Sequence, residues 1–512
     1  MKQTTTARAV MVLGTSSGAG KSWLATALCR WYARRGIDVV LYKAQNMSNN
    51  ARVVPGPNGR LGEIGSAQYF QALAARAAPE VRMNPVLLKP ERDTASQVVV
   101  CGEVRADLMA VPWRERSELL WPYAERALQA LRAEHELVVI EGAGSPAEIN
   151  LHSSDYVNMR TARSADAACL VVTDIDCGGA FAHLYGTHQL LPANERALIR
   201  GFVLNRFRGD ASLLSPGPER LREMTGVPTV AVLPMWRGHG LPEEDGVFDD
   251  RSSGGAGAGL RIAVIAGPHI SNLDEYQSLR GVPGVRLCWA RTPGDLAGAD
   301  WVVLPGSKHT TGDLAWLRAQ RLDGAIARHA AAGRRVLGVC GGLQMLGREL
   351  LDPWGVDGGT PGSVSGLGLL PLHTQFEPTK LLRHTRARFG TLAGDWAALS
   401  SLAFDAYEIR HGRTVCIDDD EAHTASPSST ATTVALRNEY DEPIGWQRGS
   451  VLGIYAHGLF ESAAVLRLLF GAEVRTLDAV FDGLADCIDE HFEPGVLMGL
   501  LGGSPPPAST NS

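Results

Sequence analysis

MVLGTSSGAGKS, residues 11–22, decides the reading of the first half of the chain. Apolar, β-prone residues lead into a glycine-rich turn that closes on Lys21 and Ser22 at a predicted helix start. Backbone N–H groups and the positive end of the helix then surround a polyphosphate. In such a loop Lys21 sits on the β and γ phosphates of ATP and Ser22 on Mg²⁺. The usual spacing G-x-x-x-x-G-K-[ST] is not met: Thr15 holds the first glycine position and Gly14 lies one residue earlier. The loop, with Ser16, Gly18 and Gly20, is therefore a variant longer by one residue. Its competing reading is a plain glycine-rich β-to-α turn, and its place directly after the first strand weighs against that.

Outward from this loop, short apolar runs alternate with longer helical patterns: AVMVLG (9–14), DVVLYK (38–43), LVVIEG (137–142), ACLVVTDI (168–175), GFVLNRF (201–207) and TVAVLP (229–234). That rhythm predicts an α/β domain with a doubly wound, mostly parallel sheet. Open sheets of this kind bind ligands at the carboxyl ends of their strands, which selects further residues. Glu141 ends one run and precedes two glycines; a carboxylate there must be paired or bind metal, so it is expected to share Mg²⁺ with Ser22. The alternative is a glutamate that only accepts backbone N–H groups of the GAG turn. Lys43 ends the second run and reaches a phosphate or an acyl phosphate as a point charge, unless it is a capping or surface lysine. Asp174 and Asp176, before Gly178 and Gly179, are weaker metal or substrate candidates, since Asp before glycine is also an ordinary turn signal.

The stretch RSSGGAGAGL, residues 251–260, neither packs nor holds a fixed backbone and reads as a linker. The expected division is an ATP-binding domain over residues 1–250, the linker at 251–260, a second α/β domain with C-terminal helices over 261–501, and a disordered tail at 502–512. The second domain alternates again through RIAVIA, WVVLPG, RRVLGVC and VLGIYAH. In RRVLGVCGGLQMLG a strand ends at Cys340 and a helix begins at once, which holds the thiol where the helix dipole favours thiolate. A lone cysteine after an apolar strand is usually a small core residue. Here His457 ends another strand about a hundred residues later and suits a general base. Backbone N–H groups at Gly341 and around Gly306, at the end of WVVLPG, could hold an oxyanion. Together these describe acyl transfer through a thioester.

Bulk properties exclude other classes. The chain has 512 residues, 45% of them hydrophobic, and 49 Lys plus Arg against 55 Asp plus Glu give a net charge of −6. That charge lacks the basic excess of a nucleic-acid binder. No run approaches the roughly 18 apolar residues of a membrane span, and no signal peptide is indicated. The eight cysteines form no Cys-x-x-Cys pair, so a reducing cytoplasm is the expected compartment. Oligomeric state is not readable.

The stretches GTSSGAGKS, YKAQNMSNN, NPVLLKP, EGAGSPAEINL, DYVNM, DIDCGG, GFVLNRFRGD, LPEEDG, LPGSKHT, GVCGGLQMLG, YEIRHG and YAHGLFE together resemble the cobyric acid synthase family of cobalamin biosynthesis, over roughly residues 8–465. The resemblance implies a dethiobiotin synthetase-like P-loop domain, whose longer loop matches the spacing above, followed by a class I-type glutamine amidotransferase domain. It implies ATP- and glutamine-dependent amidation of the b, d, e and g carboxylates of adenosylcobyrinic acid a,c-diamide through acyl phosphates. Mg²⁺ would accompany ATP, with no tightly bound organic cofactor. Cys340 and His457 fall on the family's glutaminase nucleophile and histidine. Many class I glutaminases carry Glu two residues after the histidine, where this chain has Leu459; Glu408 and Glu461 are weak candidates for the orienting role. Cys177 stands where DIDRGG would have Arg, and His309 where LPGSKNT would have Asn. The sister enzyme that amidates the a and c carboxylates, a glutaminase acting for another carboxylate substrate, and a P-loop switch ATPase are the competing readings. The last leaves Cys340 and His457 unexplained.

Overall fold

A computed structural model describes residues 6–92, 95–242, 259–417, 431–471 and 475–502. The chain divides into two compact units, one of Met1–Ser48, Val54–Leu241 and Thr476–Ser512, the other of Asn49–Val53 and Pro242–Arg475. Most of the linker, the end of LPEEDG and the tail beyond residue 502 lie outside the described residues.

In the first unit six parallel strands stand in the order Thr229–Pro234, Ile199–Phe207, Ala168–Asp174, Arg8–Gly14, Leu137–Glu141, Val39–Tyr42. All six are the runs expected from the sequence. The central strand Arg8–Gly14 is buried from Ala9 onward. A parallel strand covered on both faces must read as a continuous apolar run, which is why these strands are so legible. Chain order reverses on either side of Arg8–Gly14, so its carboxyl end is the topological switch point where such sheets bind ligands. The phosphate loop begins there. A small second sheet, Gln45–Met47, Val86–Arg92, Ala95–Val100 and Glu103–Val104, was not anticipated. Its strands are short, and Pro90 interrupts the pattern of one of them.

The C-terminal helices require a correction. They were expected to close the second domain, but residues from Thr476 onward belong to the first unit. Thr476 caps Leu477–His491 by accepting from the Ala479 N–H, and Val480, Phe481, Leu484 and Ile488 join the core of the first unit. Arg30 pairs with Asp478, Arg34 with Asp486 at 2.6 Å and Arg35 with Asp489 at 2.5 Å. The Tyr32 hydroxyl donates to the Leu497 carbonyl at 2.8 Å. An acidic face on Leu477–His491 thus meets the basic end of helix Lys21–Arg34.

In the second unit the strands Val285–Ala290, Leu260–Ile265, Trp301–Leu304, Arg335–Val339 and Val451–Ile454 run parallel in that order. The sheet continues antiparallel through Pro443–Arg448 and Thr433–Arg437 to a long hairpin of Leu372–Phe389 and Ala403–Cys416. The parallel strands carrying RIAVIA, WVVLPG, RRVLGVC and VLGIYAH were expected; the hairpin, whose strands alternate charged and apolar residues, was not. Among the described residues no helix is long and apolar enough to cross a membrane.

Candidate functional site

In the first unit Thr15 still belongs to the sheet: its N–H donates to the Val172 carbonyl at 3.0 Å and its hydroxyl lies 2.9 Å from that of Thr173. The loop proper therefore starts at Ser16, which accounts for its displaced spacing. Gly18 and Gly20 take φ of +75° and +105°. A Cβ on Gly20 would stand 2.0 Å from Asn205 Nδ2, and that amide donates to the Ala19 carbonyl at 3.0 Å. Asn205, from GFVLNRFRGD, thus anchors the loop from the strand Ile199–Phe207, two places along the sheet. The Lys21 ammonium donates to the carbonyls of Ser16 at 2.9 Å and Gly144 at 3.0 Å, joining the loop to the EGAG turn. That turn is braced by Asn158 of DYVNM, which accepts from the Ala143 N–H at 3.0 Å and donates to the Ala143 carbonyl at 2.8 Å.

Glu141 is the hub. It accepts from the Ser22 hydroxyl at 2.8 Å, Lys43 Nζ at 2.8 Å and Gln71 Nε2 at 2.5 Å. Burial alone would push its carboxyl up; the Lys43 ammonium and hydrogen bonds from Lys43, Gln71 and Ser22 hold it below the usual glutamate value. It is therefore not a turn-capping glutamate, and Lys43 is a buried partner rather than a surface lysine. The donor set fits Mg²⁺: the 2.8 Å between the Ser22 and Glu141 oxygens matches the roughly 2.9 Å edge of an octahedron with Mg–O bonds of about 2.0–2.1 Å. Among the described residues no cluster of three or more His, Cys, Asp or Glu could hold a metal ion. Asp174 and Asp176 are occupied otherwise, by Arg206 at 2.7 Å and by Arg208.

In the second unit Cys340 ends the strand Arg335–Val339 at φ +52°, ψ −106°, and the helix Gly341–Leu346 follows. A non-glycine residue in that conformation costs about 1–3 kcal/mol and is held only by its surroundings; here the Cys340 N–H donates to the Ile454 carbonyl at 2.8 Å. The two glycines are required by crowding. A Cβ on Gly342 would stand 1.9 Å from the Leu304 carbonyl oxygen, and one on Gly341 would stand 2.8 Å from the Ser307 nitrogen. Gly342→Ala is accordingly expected to destabilise this unit by at least about 3 kcal/mol, read as a lowered thermal unfolding midpoint; an unchanged midpoint would contradict the packing described.

His457 stands within electrostatic reach of Cys340, whose thiol donates to the Ile409 carbonyl at 3.5 Å, and its Nδ1 lies on Glu275 Oε1. The second oxygen of Glu275 accepts from the Gly458 N–H at 3.0 Å. Burial opposes the imidazolium, but attraction to Glu275 and to Cys340, with the hydrogen bond to Glu275, pushes His457 up to about 10. Tyr407 stacks on the ring, with centroids 5.1 Å apart and planes 19° apart. Gly306 lies beside the pair, since a Cβ there would stand 3.2 Å from His457 Cε1.

Cys340 and His457 are thus brought together as expected, but neither weak candidate for the orienting acid serves. Glu408 is taken by Arg410 at 2.7 Å and Glu461 by Arg52 at 2.6 Å, while Leu459 is buried in the apolar core. The carboxylate on His457 is Glu275, which sequence reasoning missed. It lies 182 residues away in the chain, and its only local signal is an acidic pair, Asp274-Glu275, in a turn after a buried strand. His309 precedes helix Thr310–Ala319 and rests on Asp357 at 3.4 Å, with its ring 5.2 Å from that of His269. Cys177 is exposed.

A P-loop sheet with a carboxylate at the switch point, and a separate unit with a strained cysteine on a histidine, define a nucleotide-binding protein joined to a glutamine amidotransferase. Family models agree: residues 10–237 match the CobQ/CobB/MinD/ParA nucleotide binding domain, and residues 261–465 match the CobB/CobQ-like glutamine amidotransferase domain. A cobyric acid synthase of Methylibium petroleiphilum is 71% identical over 98% of both chains, and one of Leptothrix cholodnii 68% over 98% of both. One of Variovorax paradoxus is 65% identical over 97% of this chain and 100% of its own. The chain belongs to the cobyric acid synthase family and is a glutamine-hydrolysing, ATP-dependent amidoligase.

Proposed function

We propose that the chain amidates the b, d, e and g carboxylates of adenosylcobyrinic acid a,c-diamide, using one ATP and one glutamine for each amide. The observation that carries the nitrogen-donating half is the placement of His457, held on Glu275, beside the strained Cys340; the choice of corrin substrate is supported by relatives that bear the name of cobyric acid synthase over nearly the whole chain.

A carboxylate is too poor an electrophile for ammonia, so it must first be activated. ATP on residues 14–22 gives its γ-phosphoryl group to a substrate carboxylate oxygen, leaving ADP and an acyl phosphate. Loop N–H groups and Lys21 hold the β and γ phosphates, and the positive charge of Lys43 beside Glu141 offsets the charge that develops on the transferred group. Mg²⁺, held by Ser22 and Glu141, would neutralise phosphate charge there.

In the other unit His457 takes the Cys340 proton and the sulfur attacks the side-chain amide carbon of glutamine. Backbone N–H groups at Gly341 and around Gly306 hold the oxyanion. Glu275 fixes the ring by holding Nδ1–H, so that Nε2 serves the sulfur. His457 then gives its proton to the departing nitrogen, ammonia leaves, and water hydrolyses the thioester to glutamate. Ammonia displaces phosphate from the acyl carbon and must arrive before it is protonated. The eight cysteines are free thiols, in keeping with a reducing cytoplasm.

Mass spectrometry of the a,c-diamide after incubation with the protein, ATP and glutamine tests the substrate. Four successive replacements of OH by NH₂ are expected. An unchanged diamide, with cobyrinic acid amidated twice instead, would place the chain with the sister a,c-diamide synthase.

A further inference from the structure

The stretch KAQNMSNNARV begins at the end of the second strand of the nucleotide-binding sheet, yet its last part, Asn49–Val53, is packed within the second unit. There it holds the turn that carries Glu275. The Leu273 N–H donates to Asn50 Oδ1 at 2.9 Å, and Asn272 Nδ2 donates to the Ala51 carbonyl at 2.9 Å and to the Tyr407 hydroxyl at 2.8 Å. Asn272 itself takes φ +57° to open the turn Leu273–Tyr276. Arg52, with a side chain 3% exposed, pairs with Asp274 and, at 2.6 Å, with Glu461, and its guanidinium lies 5.0 Å from the centre of the Tyr407 ring that stacks on His457.

We propose that Arg52 is a positioning residue of the glutaminase, holding the Glu275 turn in place and balancing the charge around His457. This deepens the assignment of Cys340, His457 and Glu275 and rests on it. Two buried carboxylates, Asp274 and Glu275, and the partly exposed Glu461 gather at this corner. Arg52 and the imidazole of His457 face them. Burial, then the charges of Asp274 and Glu275, push Glu461 up against the pull of Arg52. Tyr407 faces His457 from the strand Ala403–Cys416, while Tyr276 and Tyr455 face Cys340; burial pushes all three phenols up, so they stay neutral. Arg52 is therefore the one fixed positive charge that these carboxylates and His457 share among the described contacts.

The sign of the effect follows. Activity requires the Cys340 and His457 pair to carry a single proton; the acid limb marks uptake of a second and the alkaline limb loss of the first. Removing the charge of Arg52 makes every uptake easier, so both limbs move to higher pH. Removing the charge of Glu275 does the reverse.

The test is the pH profile of kcat/KM for glutamine hydrolysis by the full chain. In Arg52→Met both limbs are expected to move up by about one pH unit, the size produced by one near charge, and in Glu275→Gln both are expected to move down. Arg52→Lys keeps the charge and should hold the limbs at their wild-type pH. The charge-neutral pair Arg52→Met with Glu461→Gln should return them towards it. Activity that falls equally at every pH with unmoved limbs would overturn the proposal, as would a double variant whose limbs stay where Arg52→Met left them. If Arg52→Met fails to fold, Arg52→Lys and the double variant still decide. The underlying assignment fails separately, if Cys340→Ala still hydrolyses glutamine.

Discussion

Cys340→Ala is expected to lose glutamine-driven amide formation by at least about a thousandfold while amide formation driven by added ammonia persists. Alanine preserves the backbone, and the strained φ of +52° is set by the approach of Gly341 and Gly342 to the Trp301–Leu304 strand end, not by the sulfur. The substitution therefore removes the nucleophile and leaves the turn. His457 would keep Glu275 but would have nothing to deprotonate. Ammonia from solution bypasses the thioester, and the phosphate loop belongs to the other unit. Rates with glutamine and with ammonium salts, measured on the same preparation, separate the outcomes. Loss of both would contradict the division of labour, and retention of both would remove Cys340 from the reaction.

Lys21→Ala is expected to give the complementary result. Synthesis should fall by at least about a hundredfold to a thousandfold with either nitrogen source, while glutamine hydrolysis, assayed by glutamate release, continues. Lys21 is buried to within 7% of its surface and is already aimed into the loop, with its ammonium on the carbonyls of Ser16 and Gly144. Those carbonyls hold the side chain along the loop, where phosphate oxygens are better partners for an ammonium than neutral carbonyls are. Alanine leaves the β and γ phosphates without that charge, and added ammonia cannot compensate, because the carboxylate is never activated. Ammonia-driven synthesis at the wild-type rate would contradict the assignment of the ATP site.

The doubly wound sheet was legible because its strands are buried on both faces: MVLG and LVVIE contain almost nothing but apolar residues and end abruptly at glycine or acid. The phosphate loop and Cys340 were legible for the related reason that a ligand-binding turn between strand and helix forces glycines at fixed offsets. What escaped was long-range pairing. Nothing near Glu275 distinguishes it from any other acid in a turn; it becomes the partner of His457 only when the 272–276 turn is folded under that strand end. Glu461 attracted attention by lying four residues from His457, yet it pairs with Arg52. The same limit hid the placement of Leu477–His491. Its amphipathic pattern was plain, but which surface it covers depends on Arg30, Arg34 and Arg35 meeting acids more than four hundred residues away.

The most direct measurement follows two isotopes in one reaction. A corrin substrate with ¹⁸O in its free carboxylates is incubated with ATP and glutamine labelled with ¹⁵N in the side-chain amide, and product and phosphate are weighed by mass spectrometry. The expected result is one ¹⁵N in each new amide and one ¹⁸O in the phosphate released with it, because the carboxylate oxygen leaves on the phosphoryl group. Amides lacking ¹⁵N when glutamine is the only nitrogen source, or ¹⁸O appearing in AMP or nowhere in phosphate, would contradict carboxylate activation by γ-phosphoryl transfer coupled to a glutaminase at Cys340.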